Sequence, residues 1–118
     1  KNSEMQRGTT VLTLFPLTDL QSSKRRPAVV VSAQPSTNGD VVVAFISSVV
    51  PLLPAPTDFV VLPSDPDFGQ AGFKKASVVK ADKLATLHPS IFTGILGTAS
   101  PRMLSELNLR LKLALDLT

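Results

Sequence analysis

The densest group of basic residues in this 118-residue sequence is Lys24-Arg25-Arg26, and Pro27 follows it directly. A proline restricts the preceding residue to an extended backbone, so Arg26 is expected at the start of a strand. An arginine guanidinium binds two phosphate oxygens at once through its planar fork and stays charged at neutral pH. The spacing by itself fits a phosphate-binding site and also an ordinary solvated loop.

Two further pairs of residues offer chemistry. Ser47 and Ser48 end an apolar run, and their hydroxyl groups can either hydrogen-bond a phosphate or begin a turn. Lys80 and Asp82 are two residues apart, so their side chains lie on the same side of an extended segment. An ammonium beside a carboxylate is either an acid–base pair or an exposed salt bridge worth under about 1 kcal/mol.

Residue types that are missing from the sequence exclude several functions. With no cysteine and only one histidine, His88, the chain has no disulfide, no cysteine nucleophile, no histidine pair and no multi-histidine or thiolate metal site. No apolar run approaches the roughly 20 residues of a membrane span. The net charge of +3 permits a polyanionic partner without requiring one. We therefore expect a cytoplasmic protein that uses no membrane, metal ion or cofactor.

Length and composition indicate one domain, which we assign to residues 8–118, with residues 1–7 as a disordered or artificial extension. Short apolar segments between prolines have the length of strands: 9–15, 28–32, 40–48, 57–62, 77–80 and 92–96. Residues 17–26, 49–56 and 63–69 are predicted as loops. Strands 2 and 3 are expected to form a hairpin. Five or six short strands at this spacing are typical of a small antiparallel barrel or a two-sheet sandwich.

The C-terminal segment has leucine at every second position from 107 to 117, which alone is a strand pattern. Ser100-Pro101 at its start and the absence of β-branched residues favour a helix instead. A helix places Leu104, Leu107, Leu111 and Leu115 on one face. The opposite face, called the outer leucine face below, consists of Leu109, Leu113 and Leu117. Because a small domain cannot bury both faces, we expect the outer leucine face to contact a second copy or a partner chain.

Four segments follow one another in an order that matches a known set of motifs. The first is Gly8 with the following VLTLFPLTDLQSSKRRPAVVVS, and the second is the apolar strand DVVVAFISS. The third is SVVKADKLATL, and the fourth is GILGTASPRMLSELNLRLKLALDL. Together they span residues 8–117 and resemble the PemK/MazF toxins of type II toxin–antitoxin modules.

This resemblance implies a mainly β fold, a small SH3-like antiparallel β-barrel with a C-terminal α-helix, which agrees with the predicted elements. It also implies a homodimer, for which the outer leucine face would account. The activity it implies is metal-independent, sequence-selective endoribonuclease cleavage of single-stranded RNA, usually mRNA, with no cofactor. A cognate antitoxin protein would inhibit that activity.

By position in the motifs, the resemblance implies that Arg26 and Ser47 are catalytic, and it aligns an arginine and an aspartate of the third motif with Lys80 and Asp82. Cleavage requires that the RNA 2′-hydroxyl lose its proton and attack the adjacent phosphorus, that the phosphorane charge be neutralised and that the 5′-oxygen be protonated. We expect Arg26 to stabilise the phosphorane and donate the proton, and Ser47 to orient a phosphate oxygen. Asp82 is the expected general base.

The expected substrate-binding residues are Lys24, Arg25, Ser48 and Lys80. Ser47 stands where the family more often has threonine, which keeps the hydroxyl, whereas Lys80 replaces an arginine and loses its fork. Two alternatives keep the fold without the chemistry: a protein-binding toxin similar to the gyrase poison CcdB, and an inactive member that only binds its antitoxin. The basic motif before Pro27 favours RNA cleavage, because a gyrase-binding protein has no need of it.

Overall fold

The computed structural model describes residues 5–16, 23–33 and 37–117, except for the side chains of residues 15, 16, 23 and 24. Within this part of the chain there are six strands and one α-helix: β1 (Thr9–Pro16), β2 (Ser23–Val30), β3 (Val41–Ser47), β4 (Asp58–Val61), β5 (Ser77–Leu87), β6 (Phe92–Thr98) and α1 (Pro101–Leu115). A short 3-10 helix, Pro89–Ile91, joins β5 to β6. These elements confirm a mainly β fold with a C-terminal helix.

The strands form one antiparallel sheet in the order β4-β5-β3-β2-β1-β6. The predicted barrel is not closed by strand pairing, because among the described residues no ladder joins β4 to β6. Residues 62–76, called the closing segment below, connect β4 to β5 and also contact the opposite edge of the sheet. The Thr98 N–H of β6 donates to the Gln70 carbonyl over 3.0 Å, and the Thr10 hydroxyl of β1 donates to the Ala71 carbonyl over 2.7 Å. A loop therefore closes the structure where a four-residue β4 offers too short an edge.

The valine-rich runs of β2 and β3 are buried on both faces of the sheet. Ala28 and Val30 pack with Val43 on one face, while the intervening Val29 packs with Ala44 on the other. The second face is covered by α1 and the closing segment. Strands buried on both faces have continuous apolar runs instead of alternation. The antiparallel pairing of β2 with β3 confirms the predicted hairpin.

The loop prediction is wrong for residues 23–26, which belong to β2. There β2 pairs with β1, Arg26 lying opposite Thr13. Pairing with β3 starts only at Ala28, so this end of β2 has a neighbouring strand on one side. A strand segment with a neighbour on one side only need not alternate apolar and polar residues, so its sequence shows no strand pattern. Residues 17–22 of the predicted loop lie outside the described residues.

Strand β5 extends beyond its predicted end because it continues through a β-bulge. The neighbouring residues Ala44 and Phe45 of β3 pair with Leu84 and Lys80, so residues 81–83 of β5 have no partner on β3. An inserted segment of this kind interrupts the period of two that marks a strand in sequence. The second half of β5 was consequently not predicted.

Helix α1 begins as the sequence indicates. The Ser100 hydroxyl accepts a hydrogen bond from the Met103 N–H over 3.1 Å, and Pro101 is the first helical residue. Proline suits this position because its missing N–H would have no partner within the helix. Met103 and Leu107 are buried against the sheet, so the helix covers one of its faces.

The two leucine faces of α1 are confirmed except at Leu115, and Leu117 of the outer leucine face lies beyond the end of the helix. Leu107 is 3% exposed, whereas the residues of the outer leucine face are 55–58% exposed. Leu115, predicted on the packed face, is 52% exposed, and Ala114 packs on the core instead. Around the helix axis Leu115 lies about 80° from Leu107, but Ala114 lies only about 20° away. Two successive steps of four residues therefore place a side chain outside the helix face that is buried.

Two glycines hold the closing segment against the sheet. A Cβ on Gly97 of β6 would overlap the Gln70 carbonyl and the backbone nitrogen of Gly72. A Cβ on Gly72 would in turn overlap the backbone of Leu96, and Gly72 has a φ of +83°, which also favours glycine. The two backbones meet directly here, with no side chain between them.

We expect Gly97→Ala to lower the free energy of unfolding by about 1–3 kcal/mol, the usual cost of overpacking. The obstructing atoms are backbone atoms, so no change of rotamer relieves the overlap. Urea denaturation measures the effect, and Gly94→Ala on the same strand is the matched control because a Cβ there meets nothing within 4 Å. Equal stabilities of the two variants would contradict the contact.

Candidate functional site

A groove opens where β2 and β3 stop pairing. The last pair of their ladder is Ala28 with Phe45. Pro27 has no N–H to donate, and continuing the register by two residues would place Arg26 opposite Ser47. Between the separating strands and the closing segment lies a groove of about 370 Å³.

The groove brings together residues from three parts of the chain. Strand β2 contributes Arg25 and Arg26, β3 contributes Ser47 and the adjoining Ser48, and the closing segment contributes Lys74 and Lys75. Its remaining described lining includes apolar side chains such as Leu12, Ile46 and Phe73. Four of the residues singled out in the sequence as candidates for catalysis or substrate binding therefore line one groove.

The Ser47 hydroxyl begins a turn, one of the two roles that the sequence left open, and keeps a proton to donate. Its oxygen accepts a hydrogen bond from the Val49 N–H over 3.0 Å, which begins the turn after β3. A serine hydroxyl carries one proton as well as two lone pairs. The proton stays available for a phosphate oxygen in the groove while the turn holds the side chain in place.

The described lining of the groove carries positive charges and no negative charge to balance them. It contains Arg25, Arg26, Lys74 and Lys75 but no carboxylate, and none of the four forms an ion pair within the described residues. Among the described residues, three other cations are paired with carboxylates away from the groove. The pairs are Lys80 with Asp58, Arg102 with Asp65 and Asp67, and Arg110 with Glu106. Positive charge is thereby concentrated at the groove.

Lys80, a predicted substrate-binding residue, does not line this groove. Its ammonium lies 2.9 Å from the Asp58 carboxylate of β4, whose side chain is 3% exposed. Burial opposes the ionisation of Asp58, but hydrogen bonds from Lys80 and from the Ala55 N–H, together with the charges of Lys80 and Arg110, outweigh it and lower the pKa of Asp58. Lys80 thus joins β5 to β4 across the sheet edge.

Asp82, the predicted base, lies apart from the groove. It is exposed in the bulge of β5 and is absent from the described groove lining. Ser47 pairs with Val78, and Asp82 is four residues farther along, roughly 13 Å at the rise of an extended strand. The side chain of the other predicted contact, Lys24, lies outside the described residues.

Lys74 and Lys75 were not predicted, because they belong to a connection without periodic pattern. The available signal was their adjacency, since they form a basic pair in addition to the three basic residues at 24–26. His88 has a structural contact: its Nδ1 accepts a hydrogen bond from the Ser90 N–H over 3.1 Å.

In the described ranges there is no group of three or more histidine, cysteine, aspartate or glutamate side chains placed to hold a metal ion.

No helix in the described part of the chain is long and apolar enough to span a bilayer.

Comparisons with known proteins bear on the identity of this fold and groove. A family model described as PemK-like, MazF-like toxin of type II toxin–antitoxin system matches residues 6–115. An endoribonuclease structure from Mycobacterial species is 25% identical, with a TM-score of 0.72 over 98% of this chain and 94% of its own. A MazE–MazF structure from Deinococcus radiodurans is 23% identical, with a TM-score of 0.75 over 99% and 100% of the two chains. No curated protein matches the chain.

One further matched structure contains an antitoxin. A second Mycobacterial endoribonuclease, solved with its cognate antitoxin, is 24% identical with a TM-score of 0.68 and 96% coverage of each chain. The family model spans nearly the whole sequence. The chain belongs to the PemK-like, MazF-like toxins of type II toxin–antitoxin systems, as its four motifs indicate.

We expect Asp58→Asn to lower the free energy of unfolding at pH 7 by about 1.5–3 kcal/mol, as for hydrogen bonds to charged groups. The pKa of Asp58 is lower in the folded than in the unfolded chain, so its contribution is complete above about pH 4 and is lost as the pH falls through the lowered pKa. The difference between wild type and variant should therefore shrink below that pH in urea denaturation at a series of pH values.

The control for this experiment is Asp65→Asn. Asp65 pairs with Arg102, whose side chain is 55% exposed, and exposed pairs contribute under about 1 kcal/mol. A loss at Asp58 that stays constant down to pH 2 would contradict a stabilising carboxylate.

Proposed function

We propose that this chain is a toxin that acts as an endoribonuclease, cleaving single-stranded RNA, above all mRNA in the cytoplasm, sequence-selectively and without a metal ion. Family membership and the similarity to a structure named as an endoribonuclease support the activity. The observation that carries the proposal is the groove that holds Arg26 and Ser47 together, among cations that form no ion pair with any other described residue.

The groove suits a phosphodiester of the RNA backbone. Arg26 supplies a permanent charge and a fork that fits two phosphate oxygens. Ser47 supplies a hydroxyl proton from the other side of the opening, held by its hydrogen bond with Val49. Donors fixed before the reaction stabilise charge that develops on the phosphorane without reorganising.

In the proposed reaction the 2′-hydroxyl gives its proton to a base, for which Asp82 is the prediction from the sequence, as its oxygen bonds to the adjacent phosphorus. The bond from phosphorus to the 5′-oxygen breaks as that oxygen receives a proton from the Arg26 guanidinium, which then regains one from water. The products are a 2′,3′-cyclic phosphate and a 5′-hydroxyl. Arg26 neutralises the phosphorane and hydrogen-bonds the departing oxygen, and Ser47 orients a non-bridging oxygen. Because the nucleophile is the 2′-hydroxyl, DNA is not a substrate.

The proposal includes two protein partners. The similar structures include a Mycobacterial endoribonuclease with its cognate antitoxin and MazE–MazF from Deinococcus radiodurans, and we extend this pairing to an antitoxin for the present chain. The second partner is another copy of the chain, bound through the outer leucine face. A gyrase-poison-like function gains no support from a groove whose described lining holds four cations and no carboxylate.

We expect Arg26→Ala to lower the rate of single-stranded RNA cleavage in EDTA by roughly 10²- to 10³-fold, the usual effect of removing a group that stabilises transition-state charge. Arg26→Lys should recover part of the rate because it restores the charge but not the fork. Lys83→Ala removes an equal charge outside the groove and is the control. Wild type that leaves RNA intact, or Arg26→Ala that cuts equally well, would reject the proposal.

The same assay addresses the remaining predicted residues. Ser47→Thr keeps the hydroxyl and should retain cleavage, whereas Ser47→Ala should not. The role of Asp82 as the base stays a prediction from the sequence. A kcat loss in Asp82→Asn as large as that in Arg26→Ala would support it, and an unchanged kcat would remove it.

We expect Leu113→Glu to convert a dimer to a monomer, because a charge placed in a buried apolar interface has no compensating partner. Light scattering would show a fall from the mass of two chains to that of one. Leu52→Glu is the control, since Leu52 is 97% exposed and far from α1 in sequence. A folded Leu113→Glu variant that keeps the wild-type mass would place the interface elsewhere.

A further inference from the structure

We propose that Lys74 and Lys75 form a second phosphate site in the groove, which holds a phosphate next to the one that is cleaved. The inference rests on the proposed function, because it assigns a further contact to the same RNA strand. Neither residue lies in the basic motif at residues 24–26 or in the serine pair at residues 47–48, from which the site was predicted.

Both lysines are held on a rigid base. Phe73, just before them, is 9% exposed and packs edge to face with Phe68 at 5.9 Å between ring centroids. Ser77, just after them, is 6% exposed, and its hydroxyl donates to the Lys75 carbonyl over 2.8 Å. Because buried anchors flank this short span, its exposed lysine side chains are directed into the groove that they line.

The charge of the groove exceeds what one phosphodiester requires. A linking phosphate carries one negative charge, and the fork of Arg26 alone can bind two of its oxygens. Lys74 and Lys75 stand on the closing segment, whereas Arg25 and Arg26 stand on β2. The volume of about 370 Å³ lies within the range of sites that take whole small-molecule ligands. A second phosphate of the strand accounts for the additional pair of charges.

The chemistry of lysine defines what this site does. An ammonium is a point charge that binds phosphate without reading the base. The lysine pair should therefore strengthen binding to all sequences and leave the choice of cleavage site unchanged. It should act on KM and on the salt dependence of binding, since each neutralised phosphate contributes about 0.7 to the slope for a single strand.

The test uses a 2′-O-methyl oligoribonucleotide, which cannot be cleaved, with its affinity measured over a series of NaCl concentrations. The slope of log K against log [NaCl] should fall by about 0.7 in the double variant, because one phosphate loses its partner, and by less in Lys74→Gln or Lys75→Gln alone. Lys83→Gln is the charge-matched control, being an exposed lysine outside the groove lining. A double variant with the slope of Lys83→Gln would overturn the second site.

A chemical change in the RNA identifies the phosphate. One neutral methylphosphonate is placed at each linkage beside the cleavage site in turn. At one linkage it should weaken binding to the wild type but not to the double variant, because both changes remove the same contact. Additive losses at every linkage would overturn the assignment.

Cleavage kinetics separate this inference from the proposed function. The double variant should show a raised KM, an unchanged kcat and the wild-type cleavage sites. A lowered kcat with an unchanged KM would place the lysines at the reacting phosphate and overturn the second site. Wild type that binds the oligonucleotide with the expected salt slope but never cuts RNA would reject the nuclease function and leave the lysine site standing.

Discussion

The site depends on a hydrogen bond that Pro27 is unable to donate. Strand β2 keeps its ladder with β1 along its whole length, while its ladder with β3 begins only at Ala28. The two central strands therefore separate without either of them becoming irregular. Arg26 projects from a backbone that β1 still holds, and Ser47 stands on β3, which β5 holds from the other side. Where two strands separate and each keeps its other neighbour, the proposed catalytic groups stand on a rigid support that a loop would lack.

The distribution of acidic residues matters more for this surface than the net charge does. The chain carries only +3 overall, yet the described lining of the groove contains four cations and no acid. Carboxylates on β4, the closing segment and α1 are paired with cations that serve the fold. At physiological salt a charge acts over about 8 Å. A bound nucleic acid therefore experiences the local concentration of charge, which is higher than the average for the chain.

Local patterns predicted much of the fold, and contacts between distant residues account for the misses. Valine runs marked the centres of the strands, and Ser100-Pro101 marked the start of α1, because burial and capping depend on neighbouring residues. Arg26 and Ser47 were expected together from the motifs, and both line the groove. Lys80 was paired with its neighbour Asp82, but its ammonium contacts Asp58, which is 22 residues away on another strand. No spacing rule anticipates a partner that the sheet topology brings near.

The closing segment has two tasks, and this couples folding to the RNA binding that we propose. It seals the sheet edge through the bond from Thr98 to Gln70 and the glycine contact at Gly97, and it also presents the lysines of the groove. A ligand that contacts those lysines binds only to molecules in which the closing segment is packed against the sheet edge. Ligand binding therefore shifts the population towards that packed state by mass action. The sheet edge should therefore open less often in the ligand-bound toxin than in the free toxin.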